Sequence, residues 1–300
     1  MIIYSDELRI SYELINGEVA IVDANKRIAE AVIPESIDGN PVTSIRKKAF
    51  LGCKDLRMVS VPDTVRVIGE WAFAQCDNLA RVVLRRGSIE FGKGAFKNDE
   101  QLKLIYVFDR EEDITEVSSD EQMIARLLAA TPVIMDAEYL MDTADAGSVE
   151  WIKKWDTRLE HVMSIRDDDG YRLYVLCGEE DLHFDYDEYM EYNREKKAAL
   201  CMLRLVNDIA LDGATRSKFS DYVLEHTKGK ESEAAFKALL KRYGDEREYY
   251  ELMLNIGAIN DENLEAVLLD IGDRHAEMKA FLIESCGKEE SNDFFDHLML

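Results

Sequence analysis

One stretch of the chain is written nearly three times over. AFLGCKDLRMVSVPDTVRVIGEW (49–71) is followed by AFAQCDNLARVVLRRGSIEFGKG (72–94) and then by AFKNDEQLKLIYVF (95–108). Ala49, Ala72 and Ala95 open the copies, so the period is 23 residues without slip. Apolar side chains recur at Phe50/Phe73/Phe96, Leu56/Leu79/Leu102, Val59/Val82/Ile105 and Val61/Leu84/Val107. Val65, Ile68 and Gly69 add a further set, with Phe91 and Gly92 at the equivalents of the last two. L-x-x-V-x-V reads as a short strand whose side chains alternate between two faces. A single copy cannot bury its apolar face, but stacked copies form ladders of like side chains around one continuous core. A period of about 20–29 residues with this pattern therefore predicts a solenoid.

The full signature, A-F-x-x-C-x-x-L-x-x-V-x-V-P-x-x-V-x-x-I-G, resembles the BspA-like (type 5) leucine-rich repeats of bacterial proteins. Residues 49–71 match it throughout. Residues 72–94 match as far as Leu84 and then depart, with Arg85 for the Pro, Ser88 for the apolar residue and Phe91 for the Ile. In the third copy Asp99 replaces the Cys. An earlier, divergent turn, AVIPESIDGNPVTSIRKKAF, aligns Ile33-Pro34 with Val61-Pro62 and Ile45 with Ile68, with a five-residue insertion around Asp38-Gly39-Asn40-Pro41. The resemblance covers about residues 8–108. It implies a binding or surface protein.

Upstream of the repeats, LRISYELI (8–15) and EVAIVDA (18–24) flank Asn16-Gly17, a strong two-residue hairpin signal. A hairpin here would cover the open end of the first coil, as a terminal repeat requires. Downstream, the 23-residue pattern stops at Phe108. Charge changes at the same place: residues 1–110 hold 16 Lys/Arg and 16 Asp/Glu, so the net charge of −24 lies wholly in the remainder. Two domains are expected, a repeat domain over 1–110 and an acidic α-helical domain over 119–300. An acidic balance of this size argues against nucleic acid and anionic membrane as partners, since both rely on Lys/Arg meeting phosphate.

The second domain has helical periodicity throughout. Ser118 with Glu121, or Ser119 with Gln122, supplies a capping box for a first helix bearing Met123, Ile124, Leu127 and Leu128. Pro132 opens a second helix, to about Asp145. A third carries Val149, Ile152, Trp155, Leu159 and Val162. After a turn and short extended run over 167–177, a long helix spans about 187–210. Further helices fit 214–226, 231–243, 246–256, 261–271, 274–285 and 289–298. Gly244, Gly257, Gly272 and Gly287 sit where helices end, since glycine tolerates the left-handed residue that closes one. Residues 245–286 resemble ankyrin-type helix pairs without the T-P-L-H motif. The fold class is α+β: a short leucine-rich-repeat solenoid with a hairpin cap, then an α-helical repeat-like domain.

No catalytic constellation emerges. GSIEFGKG (87–94) approximates a phosphate loop, but Gly94 stands where Ser or Thr would hold magnesium, and Gly92 falls in register with Gly69. Asp167-Asp168-Asp169-Gly170 fails as a calcium loop, because loop positions 1 and 12 would be Ile165 and Leu176. CGEEDLHFDYDEYMEY (177–192) gathers six carboxylates (Glu179, Glu180, Asp181, Asp185, Asp187 and Glu188) around His183, in no recognised metal spacing. Trp151 and Trp155 read as core anchors. Cys53 and Cys76 share a repeat position and read as small, reduced, buried ladder residues. The opening MIIYSDELRI has neither a cationic start nor an apolar run, so a cytoplasmic location is expected.

The leading reading is a non-catalytic protein-interaction or scaffold protein without cofactor or metal, whose partner is a protein. The competing readings are an enzyme or metal-binding protein with its site near 177–192, and a BspA-like surface adhesin. Period-2 alternation turns Met58, Arg81, Val83 and Arg85 outward, and these are the expected partner contacts. The last coil presents Leu104, Tyr106 and Phe108 outward together, too apolar for a free face, so the helices that follow are expected to pack there.

Overall fold

The computed structural model of the protein describes residues 2–5, 9–109, 117–134, 137–171 and 185–297, with side chains through residue 286 apart from those of residues 4 and 5. It begins with an antiparallel meander of β1 (Ile2–Ser5), β2 (Ile10–Ile15) and β3 (Glu18–Ala24). Asn16 (φ 53°) and Gly17 (φ 81°) make the expected tight turn between β2 and β3. The cap has one strand more than the sequence announces, because β1 pairs along β2.

Each coil but the last then contributes a strand to each of two sheets. The first-coil strands are β4 (Glu30–Val32), β5 (Ser36–Ile37) and β6 (Asn40–Ile45). Later coils supply β7 (Met58–Ser60) with β8 (Val67–Ile68), β9 (Arg81–Arg85) with β10 (Glu90–Phe91), and finally β11 (Leu104–Phe108). One sheet runs β11-β9-β7-β4, all parallel; the other runs β1-β2-β3-β6-β8-β10. Pairing repeats the sequence period: Met58 lies opposite Arg81 and Arg81 opposite Leu104, as Ser44 lies opposite Val67 and Val67 opposite Glu90. Between β4 and β7 the interval is longer, 28 residues for Glu30↔Met58, and the five extra residues form the β5–β6 hairpin, turned by Asp38 (φ 52°) and Gly39 (φ 79°).

The interior is the set of ladders. Phe50, Phe73 and Phe96 stack with ring centroids 4.9 and 5.4 Å apart. Leu56/Leu79, Val59/Val82/Ile105 and Val61/Leu84 are buried beside them, with Cys53 and Cys76 as free thiols in the same column. Close stacking explains Gly69 and Gly92: a Cβ at Gly69 would collide with the backbone of Lys47, and one at Gly92 with that of Glu70. The second glycine of the near-match to a phosphate loop, Gly92, is thus a packing requirement. On the surface Lys47–Glu70 (2.5 Å), Lys54–Asp77 (3.2 Å) and Arg86–Asp109 (2.9 Å) each bridge neighbouring coils at the 23-residue interval.

After Phe108 the chain turns helical. Helix α1 (Ser119–Ala130) starts from the Ser118/Glu121 capping box, Ser118 N donating to Glu121 Oε2 at 2.8 Å and Glu121 N to Ser118 Oγ at 3.2 Å. The helix expected from Pro132 to Asp145 does not form. Two short 3-10 turns, Thr131–Val133 and Glu138–Met141, stand in its place. Backbone carbonyls here and just beyond find other partners: Trp151 Nε1 donates to Leu140 O at 2.9 Å, and Arg86 Nη1 reaches the carbonyls of Thr143, Ala144 and Ala146. Helix α2 (Val149–Ser164) buries Trp151 and Trp155, as expected of core anchors. The chain divides into two compact units, Met1–Leu159 and Glu160–Leu300, so the helices up to residue 159 belong to the unit that holds the solenoid, beyond the limit expected at 110.

The second unit is built on α3 (Tyr186–Val206), followed by α4 (Gly213–Glu225), α5 (Ala234–Tyr243), α6 (Arg247–Asn255), α7 (Leu264–Ile271) and α8 (Ala276–His297). Helix α3 packs against α4, α5 and α6. Asp212 caps α4 by accepting from the N–H groups of Ala214 and Thr215, both at 3.0 Å. Gly257 (φ 77°) and Gly272 (φ 57°) end their helices left-handed, but Gly244 (φ −57°) does not. Gly244 is small because the His275 ring occupies the space a Cβ would need. The two final helices expected on either side of Gly287 are one, since a glycine weakens a helix by only ~1 kcal/mol and no proline follows to stop it. The 167–177 extended run lies outside the described residues beyond Tyr171.

The middle ring of the aromatic ladder is the most exacting position. Phe73→Ala should cost ~3–5 kcal/mol in urea unfolding through the cavity it leaves. A loss below ~1 kcal/mol would show that the rings do not carry the stack.

Candidate interaction surface

The outer face of the β11-β9-β7-β4 sheet holds every residue expected to meet a partner. Alternation places Met58 and Ser60 of β7, Arg81, Val83 and Arg85 of β9, and Leu104, Tyr106 and Phe108 of β11 on it. Met58 and Arg85 are half-buried and Arg81 is exposed. Val83 corrects the expectation: it is only 5% exposed, in register with Tyr106, and offers no contact surface. Phe108 is buried, Leu104 and Tyr106 are half-buried, and the rings of Tyr106 and Phe108 stack at 5.5 Å. Helix α1 lies against β11, which accounts for the cover over these apolar side chains.

The arginines on this face differ from their neighbour. Arg86 is fully engaged by Asp109 and three carbonyls. Arg85 has its Nη1 buried with no hydrogen-bond partner among the described residues. Arg81 has no ion pair among those residues either. The open part of the face therefore combines cationic groups lacking acceptors among the described residues with the half-buried side chain of Met58, and the half-buried Leu104 and Tyr106 lie at its covered edge.

Trp71 is a feature the repeat pattern does not announce. It is 39% exposed, at a left-handed position (φ 55°) shared with Lys48 (φ 63°) and Gly94 (φ 64°). Lys48 Nζ lies 4.8 Å from its ring centroid, and a Cβ on Gly94 would meet Trp71 Cδ1 at 2.8 Å. The ring is thus a plate laid along one column of turns, with glycine above it to make room.

In the second unit the Asp167-Asp168-Asp169 run is consumed internally. Asp167 receives Lys197 at 2.7 Å and Arg194 at 2.9 Å; burial pushes its carboxyl up, but these two cations outweigh that and hold it below the usual carboxylate range. Arg166 and the Tyr186 hydroxyl bind Asp168, and Tyr189 donates to the carbonyl of Asp169 at 2.9 Å. Of the acidic segment 177–192, residues 177–184, His183 included, lie outside the described residues. Asp185 caps α3 by accepting from Glu188 N at 2.8 Å. Among the described residues no group of three or more His, Cys, Asp or Glu is placed to hold a metal ion. No helix among them is long and apolar enough to cross a membrane.

The sequence comparison agrees with the coil geometry. Residues 24–120 match the family described as BspA type Leucine rich repeat region, in six copies. This segment is a BspA-type leucine-rich repeat. Similar solved structures include a T. pallidum leucine rich repeat protein (28% identity, TM-score 0.28), covering 35% of this chain and 54% of that one. A leucine rich cell surface protein of Faecalibacterium prausnitzii is 25% identical (TM-score 0.31) over 37% of this chain and 33% of its own. A leucine-rich repeat protein of Bacteroides capillosus is 23% identical (TM-score 0.29), over 35% of this chain and 97% of that one. This chain thus spans about half the length of the first and a third of the second. No curated protein matches the chain.

The repeat's cysteines are shut away from chemistry. Burial pushes the Cys53 thiol up to about 11, and burial likewise raises Cys76 and Cys201 well above an ordinary thiol. At about pH 8 a thiol reagent such as DTNB should leave all three unmodified until denaturant is added. Rapid reaction of Cys53 or Cys76 in the native protein would mean that the coils open.

Proposed function

We propose that this protein is a non-catalytic protein-binding module. Its contact surface is the open part of the outer sheet face, with Met58, Arg81 and Arg85 as the recognising side chains. Stacked coils offer a long, regular face whose surface residues vary without disturbing the ladders inside, which suits recognition. The observation that carries the reading is the pair of arginines: Arg81 is exposed without an ion pair among the described residues, and half-buried Arg85 has its Nη1 without an acceptor among them. A buried donor left unmatched is costly, and a partner's carboxylate is its natural complement, since guanidinium and carboxylate match as a fork. Leu104 and Tyr106 on the adjoining strand supply apolar area beside that charge. The favoured partner is therefore a protein segment carrying Asp or Glu next to an apolar residue.

The test is affinity capture from the native cell with the wild-type chain and with Arg81→Glu/Arg85→Glu, after matching their thermal unfolding. A partner recovered by the wild type should be lost or weakened at least about tenfold by the charge reversal, which is ~1.4 kcal/mol or more. Retention of every captured partner by the variant would refute this surface.

A further inference from the structure

Asp99 interrupts the column of thiols. It stands where the two preceding coils carry Cys53 and Cys76, and it is only 7% exposed. Its Oδ1 accepts the backbone N–H of Cys76 at 2.8 Å, while Oδ2 is buried with no hydrogen-bond partner among the described residues. In the coil before, the equivalent amide, Cys53 N, donates instead to Phe50 O at 3.0 Å. The Cys76 thiol donates to that same Phe50 carbonyl, at 3.2 Å. Moving 23 residues along carries this donor to Asp99 and this acceptor to Phe73. A thiol has a hydrogen to give; a carboxylate has none, and a carboxylic acid has one.

We infer that Asp99 is a proton switch built into the solenoid. Protonated, its Oδ2–H takes the Phe73 carbonyl as Cys76 takes that of Phe50, and the last coil is locked to its neighbour. Deprotonated, it leaves a buried charge with half its acceptor capacity unmet, and the coil loosens. The groups around it do not relieve that charge. Asp77, on the preceding turn, repels it, and Lys54 is committed to Asp77 at 3.2 Å. The nearby Cys76 and Cys53 are neutral thiols, and Lys26, farther along the column, is paired with Asp23 at 3.7 Å. Burial pushes the Asp99 carboxyl up to about 7, the Cys76 N–H draws it down, and Asp77 adds to the rise.

The sign follows from proton counting. Between the ordinary carboxylate value of about 4 and about 7, the folded chain holds a proton that the unfolded chain has released. Stability from this group is therefore full at the acid end of that window, falls as pH rises through it, and levels off above about 7. Because the last coil carries β11, with Leu104 and Tyr106 on its outer face, the same proton governs how firmly that edge of the face is held.

Asp99→Asn imitates the protonated acid, keeping an acceptor for Cys76 N–H and adding a donor for Phe73 O. Asp99→Cys restores the repeat. Amide-exchange protection over residues 95–108 should be measured for the three full-length proteins between about pH 5 and 8. Wild-type protection should fall at least about tenfold relative to either variant as pH rises, because the acid that holds the coil closed is lost across that range. Equal changes in all three proteins would overturn the switch. The carboxyl-carbon NMR titration of Asp99 in the wild type needs no variant: a midpoint near 7 supports the proposal, and one below about 5 refutes it.

Discussion

The first unit depends on the face-to-face stacking of like side chains at one coil per layer. Parallel strands lie about 4.8 Å apart, and the Phe50–Phe73–Phe96 rings repeat at nearly that spacing. A coil in isolation leaves one side of its phenylalanine, leucine and valine set in water. Its neighbour covers that side, so each coil is stable only as a member of the stack. Every other regularity follows from keeping this spacing. Glycines 69 and 92 are small because the turns above them touch backbone, and the ion pairs Lys47–Glu70, Lys54–Asp77 and Arg86–Asp109 fall one period apart because their columns do. Such exposed pairs add little individually, and register is what they report.

A stack has two ends, and both are closed by different chemistry. At the start a three-stranded meander continues one sheet, pairing β3 beside β6. At the far end α1 lies against β11, and the tryptophans of α2 tie down what precedes them, Trp155 Nε1 donating to Leu127 O of α1 at 3.2 Å and Trp151 Nε1 to Leu140 O in the irregular segment. Asp99 belongs to this closing coil. The column that is thiol in the interior becomes acid at the edge, which is where a polar departure disturbs the fewest neighbours.

How much of this is legible in the sequence differs by element. The ladders, the Asn16-Gly17 hairpin, the Ser118/Glu121 box and the inward tryptophans are legible because each rests on local spacing. Strand β1 is hidden because its pairing with β2 is set by tertiary contact. The segment after Pro132 reads as helix because proline suits a first turn, but distant donors, Arg86 and Trp151, claim its carbonyls. Gly287 misleads in the other direction, since a glycine permits a helix end without compelling one. At the candidate surface, alternation assigns Met58, Arg81 and Arg85 to the outer face, where Arg81 is exposed and the other two are half-buried. It cannot foresee that Val83 is covered, because cover comes from what packs above a strand. The exposed Trp71 is explained only once Lys48 and Gly94 are seen in its column.

The central claim is that coils are interchangeable layers held at a 23-residue register. Removing residues 72–94 joins Trp71 to Ala95 and places the next coil on the same ladders; removing residues 72–93 shifts every inward side chain by one position and turns it outward. Urea unfolding of the two shortened chains tests the claim most directly. The 23-residue deletion should still unfold cooperatively, and the 22-residue deletion should lose the cooperative transition of the first unit. Similar behaviour of the two chains, whether both fold or both fail, would contradict the account.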